Sequence, residues 1–297
     1  MEERRLEVFR AVAQRLSFSG AALDLHLSQS AVSQQIAALE RELGGPLFDR
    51  NRRRVRLTAA GAALLARVDA ALAALDDARR AVAAARGAVE GDLRVCASRT
   101  IGSYVLPPAL AALARRHPAL ALQVRIDNSE RVVGALLAGS ADVGYVEDEV
   151  DDPRVELEPL LEDELLVVAS ASHRFASLAE IPIDELRNEP LVVREPGSGT
   201  RRVAEVRLAA AGLRTETLRI AAELTGIEAI KGAVEAGLGV SILSRATLSR
   251  ELAIGTMVAR PLAGRPIRRS FAAATLTGAS RLPAAVELND LLVTLGG

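Results

Sequence analysis

The stretch from Ser17 to Thr58, SFSGAALDLHLSQSAVSQQIAALERELGGPLFDRNRRRVRLT, decides the fold of the first part of the chain. Ser17 or Ser19 can cap a short helix and Ser28 can cap a longer one, because a serine hydroxyl accepts hydrogen bonds from the free amides of a first helical turn. Gly44-Gly45-Pro46 ends the second helix, since glycine adopts a left-handed conformation and proline cannot continue the helix. Two helices joined by so short a turn predict a helix-turn-helix.

The residues on either side extend this prediction. After the second helix, residues 47–50 and 55–58 read as two short strands, and the arginine-rich turn between them is typical of the wing of a winged helix. Residues 1–58 are therefore predicted to form an all-α-rich winged helix-turn-helix. Before it, a first helix is predicted from apolar residues at helical spacing, which are Leu6, Val8, Phe9, Val12, Ala13 and Leu16.

The outer face of the second helix of this motif carries small polar side chains. Small residues let a helix approach base edges, glutamine can bind adenine through its amide, and arginine neutralises backbone phosphates. The predicted partner is double-stranded DNA. The candidate DNA-binding residues are Ser17, Ser19, Ser28, Gln29, Ser30, Ser33 and Gln34 in the helices and Arg50, Arg52, Arg53 and Arg54 in the wing.

The distribution of charge agrees with this partner, although the net charge of the whole chain is only −1. Residues 1–58 carry ten arginines and seven acidic residues, whereas residues 91–297 carry 23 basic and 27 acidic residues. A basic head therefore precedes an acidic body, as expected if only the head binds nucleic acid.

The composition argues against several other classes of protein. A chain with 49% hydrophobic and 25% charged residues can bury a large core. The single cysteine, Cys96, excludes an intrachain disulfide framework, and the three histidines lie far apart in the sequence, which argues against a metal cluster. The uncharged residues 100–114 are too few for a membrane span, and the start of the chain has no apolar signal core. We expect a cytoplasmic protein with no metal, no cofactor and no membrane partner.

Residues 59–89 are rich in alanine, which predicts a long helix. In an alanine-rich segment many frames look apolar, so the spacing alone does not decide whether this helix pairs with another. We favour a linker and dimerisation helix over residues 59–90, because a lone helix with an apolar stripe would have nothing to bury it. The stripe has the spacing of a coiled-coil seam and consists of Leu64, Val68, Ala71, Leu75, Ala78, Val82, Ala85 and Val89.

From Gly91 onward, strand-like and helix-like segments alternate, which predicts parallel sheets with helices on both faces. Two loops rich in glycine and hydroxyl residues, 98–103 and 195–201, each follow a strand and precede a helix. Because such loops hold oxyanions through hydroxyls and backbone amides, the pair predicts a ligand cleft between two α/β units. The simpler alternative, that these glycines only form turns, stays open for each single residue.

The helix-turn-helix resembles that of the LysR-type transcriptional regulators. Gly20 departs from the family, which usually has a basic or polar residue there, and Ser30 replaces a common proline. The likeness is close over residues 1–60 and continues more loosely through the whole chain. The residues that agree in register are Ser17-Phe18-Ser19, Ala21-Ala22, Leu27 to Ile36, Leu39-Glu40, Leu43-Gly44 and Leu47-Phe48-Asp49-Arg50.

The resemblance implies that residues 91–297 form an α/β effector domain of two Rossmann-like lobes, similar to periplasmic binding proteins. Lobe I would comprise residues 91–162 and 269–297, and lobe II residues 163–268. A small, anionic effector, such as an oxyanion or a carboxylate, would bind between them. The implied effector-binding residues are Ser98, Arg99, Thr100, Asn128, Ser129 and Glu147 from lobe I and Ser198, Gly199, Thr200, Arg201 and Glu228 from lobe II.

Two segments of this domain, residues 194–201 and 228–231, resemble the branch of the family with regulators of sulfur assimilation and carbon dioxide fixation. Arg99 stands where that branch has a hydroxyl or small residue. It can either bind an anion or pair with an acid such as Glu147. The resemblance further implies homodimers that assemble into homotetramers, with RNA polymerase as an additional candidate partner.

Two other classes of protein remain as alternatives on a periplasmic-binding-protein-like fold. An enzyme is disfavoured, because the sequence lacks a Gly-x-Ser-x-Gly elbow, a nucleotide-binding glycine pattern and a histidine in a catalytic setting. A cytoplasmic solute-binding protein is the other alternative, and the absence of a signal peptide counts against it. Cys96 lies in an apolar strand and is predicted to be a core residue rather than a redox sensor.

Overall fold

The computed structural model describes residues 2–49, 55–85, 89, 91–147, 150–214 and 217–296. The chain divides into two compact units, residues 1–82 with 138–140, and residues 83–137 with 141–297. Below, residues 2–82 are called the head and residues 91–296 the body. Within the described residues, no helix is both long and apolar enough to cross a membrane.

The head contains the predicted winged helix-turn-helix. Phe48 anchors the start of the wing, since its ring packs against Phe9 and Phe18 at centroid distances of 5.4 and 5.6 Å. Leu16 was predicted to belong to the apolar stripe of the first helix, and this prediction is wrong. It ends that helix in the left-handed conformation, and its side chain is 49% exposed. The elements of the head are α1 (Glu3–Arg15), α2 (Phe18–Asp24), α3 (Gln29–Leu43), β1 (Phe48–Asp49), β2 (Arg56–Leu57), which pairs antiparallel with β1, and α4 (Ala59–Ala85).

The long helix α4 covers most of the segment predicted as a helix, and its end is described only as far as Ala85. Its first turns belong to the core of the head, where Val68 and Leu72 are buried. Farther along, Leu75 and Val82 are 41% and 56% exposed. Among the described residues, the apolar seam therefore divides into a part that is buried in the head and a part that is largely exposed.

The body consists of two lobes that share two long strands. In lobe I, α5 and α10 cover one face of the sheet and α6 covers the other. The elements of lobe I are β3 (Gly91–Ser98), α5 (Leu106–Arg116), β4 (Leu120–Asp127), α6 (Ser129–Leu137), β5 (Val143–Glu147) and α10 (Pro283–Gly296). Those of lobe II are β7 (Leu191–Arg194), α7 (Gly199–Ala210), β8 (Ile220–Leu224), α8 (Ile227–Glu235), β9 (Ser241–Ser244), α9 (Ser249–Ile254) and β10 (Met257–Arg260), and the shared strands are β6 (Val155–Ser170) and β11 (Ile267–Leu276).

The sheets are mixed, which corrects the prediction of purely parallel ones. In lobe I, β3 pairs parallel with β4 and β5, but β11 runs antiparallel to β5 and β6. In lobe II, β6 pairs antiparallel with β9 and β10, whereas β7 pairs parallel with β8. The first part of β6 is half-exposed and carries glutamates at 156, 158, 162 and 164, so its sequence lacks the continuous apolar run that is typical of a buried strand.

Candidate functional site

The exposed face of α3 carries the predicted polar side chains. Val32, Ile36 and Leu39 are fully buried and fix which face points inward. As a consequence, Gln29 and Gln34 are exposed. Ser28 and Ser30 are exposed as well, Ser19 is exposed on α2, and Ser17 and Ser33 are half-buried.

Two of the serines predicted to bind DNA also cap helices. The Ser17 hydroxyl accepts a hydrogen bond from the amide of Gly20 at 3.1 Å, at the start of α2. The Ser28 hydroxyl accepts one from the amide of Ala31 at 3.1 Å, at the start of α3. Capping uses each hydroxyl oxygen as an acceptor, and the Ser28 hydroxyl also shares a hydrogen bond of 2.9 Å with the hydroxyl of Ser30.

Glu40 is one of the residues that carry the family resemblance, and in the structure it holds the wing against α3. Its Oε1 accepts hydrogen bonds from the amides of Leu47 and Phe48 at 2.8 and 3.2 Å, which fixes the wing against α3. The predicted wing residues Arg50, Arg52, Arg53 and Arg54 lie outside the described residues. Arg56 lies on β2 and is exposed.

In the body, a cluster of polar side chains is buried around Glu147, which is 2% exposed. The Ser129 hydroxyl donates to Oε2 of Glu147 at 2.5 Å. The hydroxyls of Ser98 and Thr100 also favour the charged form of this carboxylate and help to lower its pKa. We call Ser98, Thr100, Ser129 and Arg269, which surround the Glu147 carboxylate, the carboxylate cage.

Arg269 supplies the positive charge of the carboxylate cage, and its side chain is fully buried. Its Nη1 lies 4.0 Å from Oε1 of Glu147 and donates to the Thr200 hydroxyl at 3.0 Å. Its Nε donates to Oδ2 of Asp163 at 2.8 Å, and its Nη2 has no hydrogen-bond partner among the described residues. Arg269 therefore links the carboxylate of Glu147 to lobe II.

The cage determines the charge of Glu147. Burial alone would raise the pKa of this carboxyl, because a low dielectric disfavours the charged form. The positive charge of Arg269 and the hydrogen bonds from Ser129, Ser98 and Thr100 outweigh burial, so the pKa of Glu147 lies below its usual value. Glu147 is therefore a buried, fully ionised carboxylate at neutral pH.

The loop before α7 lies directly against the cage. A Cβ atom at Gly199 would stand 2.6 Å from Oε2 of Glu147 and 2.7 Å from the Ser129 hydroxyl oxygen, so a larger residue there would displace one of these side chains. The Ser198 hydroxyl caps α7 by accepting from the amide of Arg201, and Thr200 holds Arg269. The two predicted ligand loops thus meet at one carboxylate.

Arg99 and Arg201 were predicted at this site, and both pair with acids outside the cage. Arg99 Nε lies 3.3 Å from Oε1 of Glu195, so its guanidinium pairs with an acid other than Glu147, and its contact with an anion stays a prediction. Arg201 bonds Glu205 and Glu223, each at 2.7 Å.

Asn128 and Glu228 also have other partners. The Asn128 side chain accepts from the amide of Arg131 at 2.9 Å and donates to the Pro196 carbonyl at 3.4 Å, so it ties the rim of lobe I to lobe II. Glu228 lies 2.7 Å from Lys231, and no contact joins it to the carboxylate cage among the contacts described.

Arg269 and Asp163 are the site residues that sequence reasoning missed. The pair Arg268-Arg269 is typical of an exposed, charged segment. Arg269 and Asp163 also both lie far in sequence from the two predicted ligand loops. One signal could have found Arg269: in a strand it shares a face with Ile267 and Phe271, which are both buried.

Two cavities lie in the body, and of these two only the second is lined by a cage residue. One, of about 560 Å³, is lined in part by Asp163, Phe271 and Tyr104. The other, of about 530 Å³, is lined in part by Ser129 and Gly199. Across the described part of the chain, no three His, Cys, Asp or Glu residues are arranged to hold a metal ion.

Two family models match the chain. Residues 4–62 match the model of the bacterial regulatory helix-turn-helix protein, lysR family, and residues 86–296 match the LysR substrate binding domain. The HTH-type transcriptional regulator CysL of Bacillus subtilis is 36% identical over 83% of this chain and 82% of its own length. The HTH-type transcriptional regulator CbbR of Rhodospirillum rubrum is 35% identical over 90% of this chain and 88% of its own.

Solved structures show the same architecture. Full-length OxyR from Pseudomonas aeruginosa superposes with a TM-score of 0.76 at 26% identity, covering 98% of this chain and 94% of its own. Full-length CbnR in complex with its target DNA superposes with a TM-score of 0.68 at 26% identity, covering 98% and 99%. The regulatory domain of CcmR from Synechocystis, in complex with 2-PG, superposes with a TM-score of 0.64 at 27% identity, covering 69% and 97%.

Proposed function

The chain belongs to the LysR family and is a DNA-binding transcriptional regulator with an effector-binding domain, not an enzyme, and we propose that it senses a small anion in the carboxylate cage. We further propose that the exposed face of α3 reads the operator while the wing arginines bind its phosphates. As a DNA-bound regulator it would act in the cytoplasm, with RNA polymerase as a further partner.

One observation carries the effector proposal: buried hydroxyls and one buried guanidinium converge on a carboxylate. Hydrogen bonds to a charged acceptor are stronger than those between neutral groups. The position where these donors meet is therefore suited to an anion. Glu147 occupies that point here, and its position marks where the anionic group of an effector fits. The related CcmR domain in complex with 2-PG, a small organic anion, supports this class of effector.

The proposed domain boundaries are residues 1–58, 59–90 and 91–297, the last divided into the two predicted lobes. The uncovered part of the α4 seam, with Leu75 and Val82 exposed, supports a homodimer in which two copies of this helix pair. A homotetramer built from two such dimers is the assembly we propose on DNA. Sedimentation of the full chain with and without operator DNA tests both states.

The effector site is tested with Thr100→Val, which removes a hydroxyl but keeps the shape of the side chain. The full-length protein is screened by thermal shift against small carboxylates and oxyanions, and by gel shift on the intergenic DNA upstream of its gene. Thr100→Val should lose the anion-dependent stabilisation and keep DNA binding. Thr247→Val is the matched control, because its hydroxyl is also buried but bonds the Ser244 carbonyl outside the cage. Equal anion responses in both variants would exclude the cage as the effector site.

The DNA-reading surface is tested with two kinds of variant. Gln34→Ala should reduce discrimination between operator and random DNA by roughly 1–3 kcal/mol if its amide reads a base. The double variant Arg53→Ala/Arg54→Ala should weaken binding to all sequences and reduce the slope of log K against log salt by about 1.8. Gln14→Ala, an exposed glutamine on α1, is the control. A wing variant with the wild-type salt slope would refute the phosphate contacts.

A further inference from the structure

The donors of the carboxylate cage are already engaged by a group of this chain. Ser129 donates to Glu147 at 2.5 Å, and the hydroxyls of Ser98 and Thr100 also help to lower the pKa of the same carboxylate. Arg269 lies 4.0 Å from it and neutralises its charge. An incoming anion would need these same donors, since they are what makes the site selective for an anion.

A second anion cannot take the position of the Glu147 carboxylate while that carboxylate is in place, although a cavity of about 530 Å³ is lined by the neighbouring Ser129 and Gly199. The backbone of Gly199 stands so close that even a Cβ atom there would lie 2.6 Å from Oε2 of Glu147. Electrostatics lead to the same conclusion, because Asp163 and Glu147 both flank the single guanidinium of Arg269. Two carboxylates against one buried cation would repel any further negative charge that entered.

We propose that Glu147 is a tethered competitor of the effector: its carboxylate occupies the anion position and has to leave before an external anion can bind. This inference rests on the proposed anion-sensing function and adds how that site is regulated. Because the competitor belongs to the chain itself, its effective concentration is high and constant. It therefore sets the effector concentration at which the regulator responds.

The unpaired donor of Arg269 indicates which class of anion can displace the Glu147 carboxylate. Nη2 of Arg269 is buried and has no hydrogen-bond partner among the described residues, so Glu147 leaves one donor unused. A tetrahedral oxyanion such as phosphate presents more acceptor oxygens than a carboxylate and can engage this donor as well. The favoured effector class is therefore a phosphate or another oxyanion with at least three acceptor oxygens.

The test compares inorganic phosphate binding to the full-length wild-type protein, Glu147→Ala and Glu147→Gln, by thermal shift at constant ionic strength. Glu147→Ala empties the cage, so its half-saturating phosphate concentration should be about tenfold lower than that of the wild type. Glu147→Gln keeps the packing and removes only the charge, and it should fall between the two. It also keeps the test valid if the alanine variant fails to fold.

Asp142→Ala is the matched control, because Asp142 is a buried carboxylate that bonds Arg94 at 2.6 Å away from the cage. This variant should lose stability and respond to phosphate as the wild type does. A wild-type response equal to that of both Glu147 variants would overturn the competitor role and leave the anion site intact. Weaker phosphate binding in the Glu147 variants would also overturn it, since Glu147 would then assist binding. No response in any variant would refute the anion site itself.

Discussion

The phenol of Tyr104 in lobe I donates a hydrogen bond to the carboxylate of Glu228 in lobe II. Lys231 lies 2.7 Å from the same carboxylate and 5.2 Å from the centre of the tyrosine ring, and it also bonds Glu251 at 2.8 Å. Burial, together with the neighbouring Glu228, raises the pKa of Tyr104 to about 12. The phenol therefore keeps its proton at neutral pH and bridges the two lobes outside the carboxylate cage.

Replacing Tyr104 by phenylalanine should loosen the contact between the lobes with only a small loss of stability. One hydrogen bond to an exposed charged acceptor is removed, and the free energy of unfolding should fall by only about 0.5–1.5 kcal/mol. Hydrogen exchange measured by mass spectrometry should speed up at residues 98–100 and 198–200, which belong to the two loops around Glu147. Tyr145→Phe is the control, because Tyr145 bonds Asn289 at 2.8 Å within lobe I. Unchanged exchange at both loops in the Tyr104 variant would mean that the bridge does not hold the lobes together.

Lys231 is the only lysine of the chain and provides a second, chemical probe of the same bridge. It is 4% exposed, and although burial lowers its pKa, the hydrogen bonds to Glu228 and Glu251 raise it above the ordinary value. A buried, protonated amine should react with an amine-specific ester more than about 100-fold more slowly in the native protein than in urea. Peptide mass spectrometry measures this directly. Labelling of Lys231 at the unfolded rate in native buffer would show that the cluster opens freely.

The local parts of this molecule could be predicted from its sequence. The start of α3 at Ser28 and its end at Gly44 were predictable, because caps and stops depend on the few residues that form them. The loops that hold Thr100 and Thr200 were found for the same reason: glycines and hydroxyls are concentrated within a few positions of each other.

Long-range partners could not be predicted in this way. Arg269 reaches the cage from β11, more than a hundred residues after Glu147, and no local pattern links the two. Glu228 was expected at the effector site, yet it bonds Lys231 and Tyr104, because pairing with the buried lysine one helical turn away satisfies both charges. Which carboxylate meets which cation is decided by the packing of the lobes.

Gly61 should be the least tolerant glycine of the head. A Cβ atom there would stand 2.1 Å from the carbonyl oxygen of Leu47, so the start of α4 and the wing would have to separate. Gly61→Ala should lower the free energy of unfolding by about 1–3 kcal/mol. Gly232→Ala is the control within α8, where nothing lies within 4 Å of an added Cβ, and it should stabilise the protein by about 0.4–1 kcal/mol. Urea unfolding measures the free energy of unfolding of both variants. A Gly61→Ala variant as stable as the wild type would refute the close approach of Gly61 to the Leu47 carbonyl.

The ionisation of Glu147 should make the stability of the body depend on pH in the acid range. Its pKa in the folded protein lies below the value of the unfolded chain, so the unfolded state takes up a proton first as the pH falls. The stabilisation is therefore complete above the unfolded pKa, near 4.5, and is lost as the pH falls toward the folded pKa.

Between these two values the free energy of unfolding of the wild type should fall faster than that of Glu147→Gln, by up to about 1.4 kcal/mol per pH unit for one proton. Urea unfolding at constant ionic strength between pH 7 and the acid transition measures both slopes. Glu228→Gln is the control. The pKa of Glu228 is also lowered, because the hydrogen bonds from Lys231 and Tyr104 outweigh burial. Its side chain is 73% exposed, however, so solvent screens the interaction and the pH dependence of this variant should stay close to that of the wild type. Parallel curves for the wild type and Glu147→Gln would show that the cage does not hold an ionised carboxylate.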